Sequence, residues 1–230
     1  MYLYHGTNFG ALENIMKQGI LPRMDTGGSN RWGEFPSRED CIYLSRLYAP
    51  YFALNKTEVG EKWLLIRIKK EALIQDLLLP DEDYVAGILP KDMDNMSLAE
   101  KTEFARRLLP NLIDRTDDSI RMLGNCAYRS HVDLKQIDKI VAFDLKENPL
   151  MNIAIDPTIT VMNALMMGGK YTALTEWFFE EPTEEGLSKI MLAGPTEPSE
   201  KVFDEAWNRS KDLWFSRKGL ETIYTAEEAA

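Results

Sequence analysis

Short apolar runs, separated by polar stretches rich in glycine and proline, dominate the first two thirds of the chain; apolar stripes at helical spacing dominate the last third. "YLYH" (2–5) predicts a strand that ends at a histidine. Thr7 or Asn8 can cap the next helix by accepting backbone N–H bonds. Leu12, Ile15 and Met16 then share one face, and Gly19 suits the helix end. Residues 22–40 carry the punctuation of a long loop. "CIYLS" (41–45) predicts a second strand, and "RLYAPYFALNK" a turn and a short helix interrupted at Pro50. "KWLLIRIKK" (62–70) reads as a buried strand, and "EALIQDLLLPDEDYV" as an apolar turn that ends in an acidic loop. Ser97 and Glu100 have the spacing of a capping box for a helix running to about Leu109, where Pro110 limits it. "CAYRS" (126–130) and "KIVAFDL" (139–145) predict two further strands.

Beyond about residue 150 the period changes. "TVMNALMM", "YTALTEWFFEE", "EEGLSKIMLAG" and "SEKVFDEAWNRSKDLWF" all predict helices, and in the last of these Val202, Phe203, Ala206, Trp207, Leu213 and Trp214 share a face. The expectation is an α+β core over 1–150 followed by a helical extension over 151–230 that packs on it.

Charge sharpens this division. The net charge of −10 is uneven: residues 1–155 hold 23 acids against 20 bases, and residues 156–230 hold 14 against 7. An acidic extension argues against a protein that coats nucleic acid, which needs cations to displace counterions from phosphates. The two cysteines, Cys41 and Cys126, lie in apolar strand-like runs and read as buried thiols. No apolar run approaches the roughly 20 residues that cross a bilayer, and "MYLYHGTN" lacks a basic segment followed by an apolar one. A cytoplasmic protein without membrane contact is expected.

Several chemistries find no motif. There is no Gly-Lys-Ser/Thr phosphate loop, no Gly-x-Ser-x-Gly elbow and no His-Glu-x-x-His pair. With two histidines and two scattered cysteines, a zinc site would have to borrow carboxylates, so no metal is expected. Gly168-Gly169 in "MMGGKYT" reads as a break between helices.

Three motifs at strand ends remain: "YHGTNFGALENIMKQGIL", "CIYLSRLYAPYFA" and "CAYRS". Together they resemble the ADP-ribosyltransferase superfamily over about residues 2–145. That superfamily includes poly- and mono-ADP-ribosyltransferases, DNA-modifying toxins and tRNA 2'-phosphotransferases. Its first motif is a strand ending in His-Gly-Thr/Ser, then a helix and Gly-Ile/Leu. Its second is an Ile-Tyr-Phe/Leu strand followed by small and aromatic residues. The resemblance implies two small antiparallel sheets split around a cleft for NAD, which is consumed as a substrate.

The same resemblance implies roles for particular residues. His5 would hydrogen-bond a ribose hydroxyl. Gly6, in the His5-Gly6-Thr7 motif, would let the backbone approach the nicotinamide carboxamide. Tyr43 would stack on the nicotinamide, with Tyr51, or alternatively Tyr48 or Phe52, on its other face; an aromatic clamp on the cationic ring is worth about 1–2 kcal/mol. Ser45, two residues on from Tyr43 and on the same strand face, would bond the carboxamide or the ribose. In many members a glutamate on a later strand holds the ribose and activates the nucleophile, but the matching strand here offers only Tyr128, Arg129 and Ser130. Glu34, Glu39, Asp40, Asp81, Glu82 and Asp83 are the candidate replacements.

Three functions stay open at this point. The first is mono-ADP-ribosyl transfer from NAD to a protein or nucleic-acid acceptor, with nicotinamide leaving. The second is an NAD-dependent RNA 2'-phosphotransferase in which Arg31, Arg38, Arg46 and Arg129 hold a phosphate. The third is a non-catalytic module that binds a nucleotide or a protein. Set against all three, His131 reads as a solvated turn residue and Arg129 also as a surface ion-pair partner.

Overall fold

A computed structural model describes residues 1–28, 37–57, 61–88, 95–144, 171–180 and 219–227, with the single positions Asn208 and Arg217. The expected helices over "TVMNALMM", "EEGLSKIMLAG" and "SEKVFDEAWNRSKDLWF", the Gly168-Gly169 break, and Arg31 and Glu34 lie outside them.

Among the described residues there are seven strands: β1 (Tyr2–Asn8), β2 (Ile42–Ser45), β3 (Trp63–Lys69), β4 (Leu78–Pro80), β5 (Asn125–Tyr128), β6 (Ile137–Phe143) and β7 (Leu220–Thr225). They form one sheet in the order β4-β5-β2-β1-β3-β6-β7. The β1–β2, β2–β5, β4–β5 and β6–β7 pairs are antiparallel. The helices are α1 (Leu12–Gln18), α2 (Arg23–Thr26), α3 (Ala49–Lys56), α4 (Glu82–Ile88), α5 (Leu98–Leu108), α6 (Thr116–Met122) and α7 (Tyr171–Phe179). The architecture is mixed α and β. No helix among the described residues is long and apolar enough to cross a membrane.

The chain divides into two compact units, one comprising residues 1–5, 11–46 and 68–137, the other 6–10, 47–67 and 138–230. In the first, β5 is clamped between two antiparallel neighbours, with Tyr43 opposite Ala127 on one side and Leu79 opposite Ala127 on the other. Cys41, Leu79, Tyr84, Val85, Leu109 and Ala127 form a buried cluster, and Tyr43 packs against it. Strand β4 is an edge, a position where unpaired backbone groups invite association. Here α6 seals it: Thr116 and Ser119, one helical turn apart, are both buried. Thr116 Oγ1 donates to the Leu78 carbonyl at 3.0 Å. Ser119 Oγ accepts from the Asp81 N–H at 3.0 Å and donates to the Asn125 carbonyl at 2.8 Å. The Ser97–Glu100 box forms as expected, with Ser97 N–H donating to the Glu100 carboxylate at 2.8 Å and Glu100 N–H to Ser97 Oγ at 3.3 Å.

In the second unit the core is aromatic. Trp63, Phe143, Trp177 and Phe178 are buried and meet edge to face or tilted, with ring centroids 4.9–6.4 Å apart. Helix α7 packs through Trp177 and Phe178. Thr175 Oγ1 ties it to the Leu47 carbonyl at 3.0 Å, and the half-buried Arg67 bridges Asp138 and Glu180 while stacking on Phe179.

Five expectations change. The strands lie in one seven-stranded sheet rather than in two small split ones. Neither Thr7 nor Asn8 caps α1, because both lie in β1 and α1 starts behind Ala11 with no side-chain cap bond. Pro50 does not interrupt a helix; it sits in the first turn of α3, where a missing N–H breaks no intrahelical bond. The acids after Pro80 do not form a solvated loop; Asp81 and Glu82 are buried, and Glu82 opens α4. The C-terminal extension is not helical throughout, because "LETIYT" pairs with β6 as β7; its β-branched and aromatic residues favour a pleated edge.

Candidate functional site

The first unit gathers polar side chains around Tyr43. The β2–β5 register places Tyr43 and Ser45 on the same face as Ala127 and Asn125. Arg129 follows β5 two residues after Ala127, its N–H anchored on the Leu77 carbonyl at 2.8 Å. Leu78 and Pro80 pair with Tyr128 and Cys126, so α4 begins immediately beyond this edge, and its first residue reaches Tyr43.

Tyr43 OH donates to Glu82 Oε1 at 2.5 Å and accepts the Arg38 N–H at 2.7 Å. The same N–H also reaches Glu82 Oε1 at 3.3 Å. Burial pushes the Tyr43 hydroxyl well above its ordinary pKa, and the Glu82 charge pushes the same way, so the phenol stays a donor. Burial also raises the Glu82 carboxyl, against the hydrogen bonds from Tyr43 and Arg38 that favour its ionised form. The result is a carboxylate held in a poorly solvated place by two directed donors.

Asp40 organises the adjoining arginines. Its carboxylate takes Arg38 Nε at 2.8 Å and a terminal Arg38 nitrogen at 2.6 Å, and Arg129 Nε at 3.1 Å. The Arg38 fork holds the Asp40 carboxyl down at about 2 and raises the Arg38 guanidinium in turn. Next to it, burial pushes the Cys41 thiol up to about 12, so it is no nucleophile. Residues 37–39 are further clipped to α2 by Arg23, which donates to the Ser37 carbonyl at 2.7 Å, and by the Met24 N–H on the Glu39 carbonyl at 2.9 Å.

His5 joins this cluster in an unexpected way. Tyr4 is registered opposite Ser45 and therefore shares the face of Tyr43; His5 leaves β1 on the other face. It meets Tyr43 through the main chain, with Nδ1 3.0 Å from the Tyr43 carbonyl. A carbonyl only accepts, so Nδ1 carries a proton; were the ring neutral, Nε2 would be its acceptor. That tautomer suits a hydroxyl that donates.

The remaining sequence-derived residues sort by burial and unit. Ser45 is buried, and its Oγ donates to the Gly124 carbonyl at 3.1 Å, which the Arg46 N–H also reaches at 2.7 Å. Ser45→Ala is therefore expected to cost only about 1 kcal/mol in denaturant unfolding, since Gly124 keeps a donor. Gly6, Thr7 and Tyr51 belong to the second unit. Thr7 is buried, Tyr51 is exposed on α3 with its ring edge-on to Phe52 at 5.9 Å, and Gly6 lies against α3. A Cβ on Gly6 would fall 2.0 Å from the Ala49 carbonyl oxygen and 2.8 Å from the Ala53 nitrogen. This glycine has a packing reason to be one.

Of the candidate acids, Glu82 reaches Tyr43, Asp40 is committed to two arginines, and Asp81 caps α4 through the Asp83 N–H at 2.9 Å. Glu39 and Asp83 are exposed. His131 is exposed, as expected, and pairs with Asp133 at 3.1 Å. Asn125 was not singled out from sequence. Its Oδ1 is buried without a hydrogen-bond partner among the described residues, on the face that carries Tyr43. Only the β2–β5 register reveals that position. Among the described residues no group of three or more His, Cys, Asp or Glu side chains is placed to hold a metal ion. Comparison with protein-family models, with curated proteins and with solved structures finds no match to this chain.

Proposed function

We propose that the protein is an NAD-dependent mono-ADP-ribosyltransferase that modifies a macromolecular acceptor and releases nicotinamide. The observation that carries this reading is the Tyr43–Glu82 pair. Many members of the resembling family set a carboxylate from a later strand beside the aromatic on the second strand, and β5 carries no acid. Glu82 enters from the start of α4 and sits on the Tyr43 hydroxyl at 2.5 Å. In this mechanism the bond between ribose and nicotinamide breaks with its electron pair leaving on nicotinamide. A carboxylate next to the oxocarbenium-like centre stabilises the developing positive charge, and does so more strongly in a site with little water. Glu82 would also take the proton of an acceptor hydroxyl or amine as that group attacks. His5 leaves β1 on the opposite face, so it would act as a positioning residue, holding the main chain of Tyr43 through its carbonyl.

Against the phosphotransferase stands Asp40. It engages Arg38 and Arg129, two of the four candidate arginines, so a phosphate there would have to displace a carboxylate bound by three N–H contacts. The non-catalytic reading keeps one specific observation on its side: Glu82 is only 4% exposed, and both of its donors are already engaged.

The experiment is nicotinamide release from NAD by purified protein, with and without cell extract, beside a His5→Ala control. The transferase reading expects release that depends on extract and falls at least ~100-fold in the control. NAD binding without release would select the binding module. Absence of both binding and release would overturn the reading.

A further inference from the structure

Asp81 and Glu82 are consecutive carboxyls, and both are buried. Their surroundings differ. Glu82 is met by the Tyr43 hydroxyl and the Arg38 N–H, with the Arg38 guanidinium, Asp40 and the Cys41 thiol close behind them. Asp81 accepts one hydrogen bond, from the Asp83 N–H, and among the described residues it makes no ion pair. The groups around it are Glu82 and Asp83 on its own helix, and Cys126 on β5, whose thiol feels the charges of Asp81 and of the Lys70–Asp117 pair. Ser119 and Thr116 of α6 face the same edge and carry no charge. A buried carboxylate without a cation is costly, and a second one on the next residue adds repulsion.

We propose that Asp81 and Glu82 form a proton-controlled latch: with Asp81 protonated, Glu82 stays ionised and holds segment 37–40 through Tyr43 and the Arg38 amide, and when Asp81 ionises the start of α4 opens to water and releases that segment. The latch stands on this geometry and does not depend on NAD chemistry.

The titration falls in a useful range. Burial raises the Asp81 carboxyl to about 7, and the charges of Glu82 and Asp83 push it the same way, while the Asp83 N–H pulls it down. The folded value lies above the unfolded one, near 3.8. Its contribution to stability is therefore complete below about pH 4 and is lost as pH rises through about 7. The open population therefore grows by up to about tenfold per pH unit between about pH 4 and 7 and levels off above that.

Hydrogen exchange of the Arg38 amide reads the latch directly, once corrected for the base-catalysed intrinsic rate. In the wild type the protection factor of this amide is expected to fall more than about tenfold between about pH 5 and 7. Asp81→Asn keeps an effective helix cap and removes the charge, so its Arg38 amide should stay protected across that range. Histidine also titrates near neutrality, and His5 on the Tyr43 carbonyl is unchanged in this variant, so Asp81→Asn separates the two. Constant protection in the wild type, or an equal loss in Asp81→Asn, overturns the latch. Measured without NAD, either result leaves the transferase reading untouched.

Discussion

Glu82→Gln is expected to abolish nicotinamide release, lowering the rate by ~10²–10⁴, while leaving the protein at least as stable as the wild type at neutral pH. The two halves of this outcome have separate causes. Glutamine keeps an oxygen that accepts from Tyr43 OH and from the Arg38 N–H, so the hydrogen-bonding pattern survives. What goes is a charge that burial disfavours, as the raised Glu82 pKa records. A carboxyl kept where burial disfavours its charge, whose neutral isostere folds as well or better, carries the signature of function rather than of architecture. Tyr43→Phe should behave differently. It strips the hydroxyl from between Arg38 N–H and Glu82 and leaves two buried partners short of a hydrogen bond, costing about 1–3 kcal/mol. Wild-type release rates in Glu82→Gln, beside normal folding, would remove Glu82 from the mechanism. Thermal unfolding on the same samples supplies the stability half.

The strands that bear the candidate residues were legible in sequence because each is an apolar run between turn residues. "YLYH" continues to Asn8 as β1, and "CIYLS", "KWLLIRIKK", "CAYRS" and "KIVAFDL" match β2, β3, β5 and β6 within a few residues. Strand β4 was not legible: Leu78-Leu79-Pro80 is short, wholly apolar and ends in proline, so it shows no alternation. Nor was β7, an edge strand that follows a stretch of helical period. Helix α4 was hidden by its own acids. Asp-Glu-Asp reads as a solvated loop, yet carboxylates in a first turn favour the helix dipole, and Asp81 supplies the cap.

The candidate site shows the same limit. Glu82 stood among six acids that might replace the absent strand glutamate, and nothing local distinguishes it. Its selection depends on two ladders, β4 on β5 and β5 on β2, which carry the start of α4 to a tyrosine 39 positions earlier in the chain. The engagement of both arginines by Asp40 was equally hidden, since Asp40 meets Arg129 across 89 positions. Side-chain parity along β1 was available from the start, but without the Tyr4–Ser45 register it could not show that His5 and the Tyr43 ring leave opposite faces.

Gly6→Ala separates the two reasons a glycine can stand after His5. If Gly6 matters only because a ligand approaches its backbone, alanine folds normally and loses NAD binding. The packing predicts instead that alanine destabilises the protein by ~3 kcal/mol or more, the upper end of what overpacking costs, and lowers Tm by roughly 10 °C for a chain of this size. The added methyl would stand 2.0 Å from one backbone atom of α3 and 2.8 Å from another. Neither can rotate away as a side chain would, so the helix itself must shift. Thr175 and Leu47 tie the entry to α3 to α7, and the Thr57 hydroxyl closes its other end on the Ala53 carbonyl, so a shift carries bonded neighbours with it. Trimming the neighbour should therefore bring no relief: Ala49→Gly leaves the offending carbonyl in place, and Gly6→Ala/Ala49→Gly should be no more stable than Gly6→Ala alone. A wild-type melting temperature in Gly6→Ala would show that the strand and α3 can part enough to admit a Cβ that would otherwise stand 2.0 Å from the Ala49 oxygen, and would return Gly6 to the ligand-contact role that its motif implies.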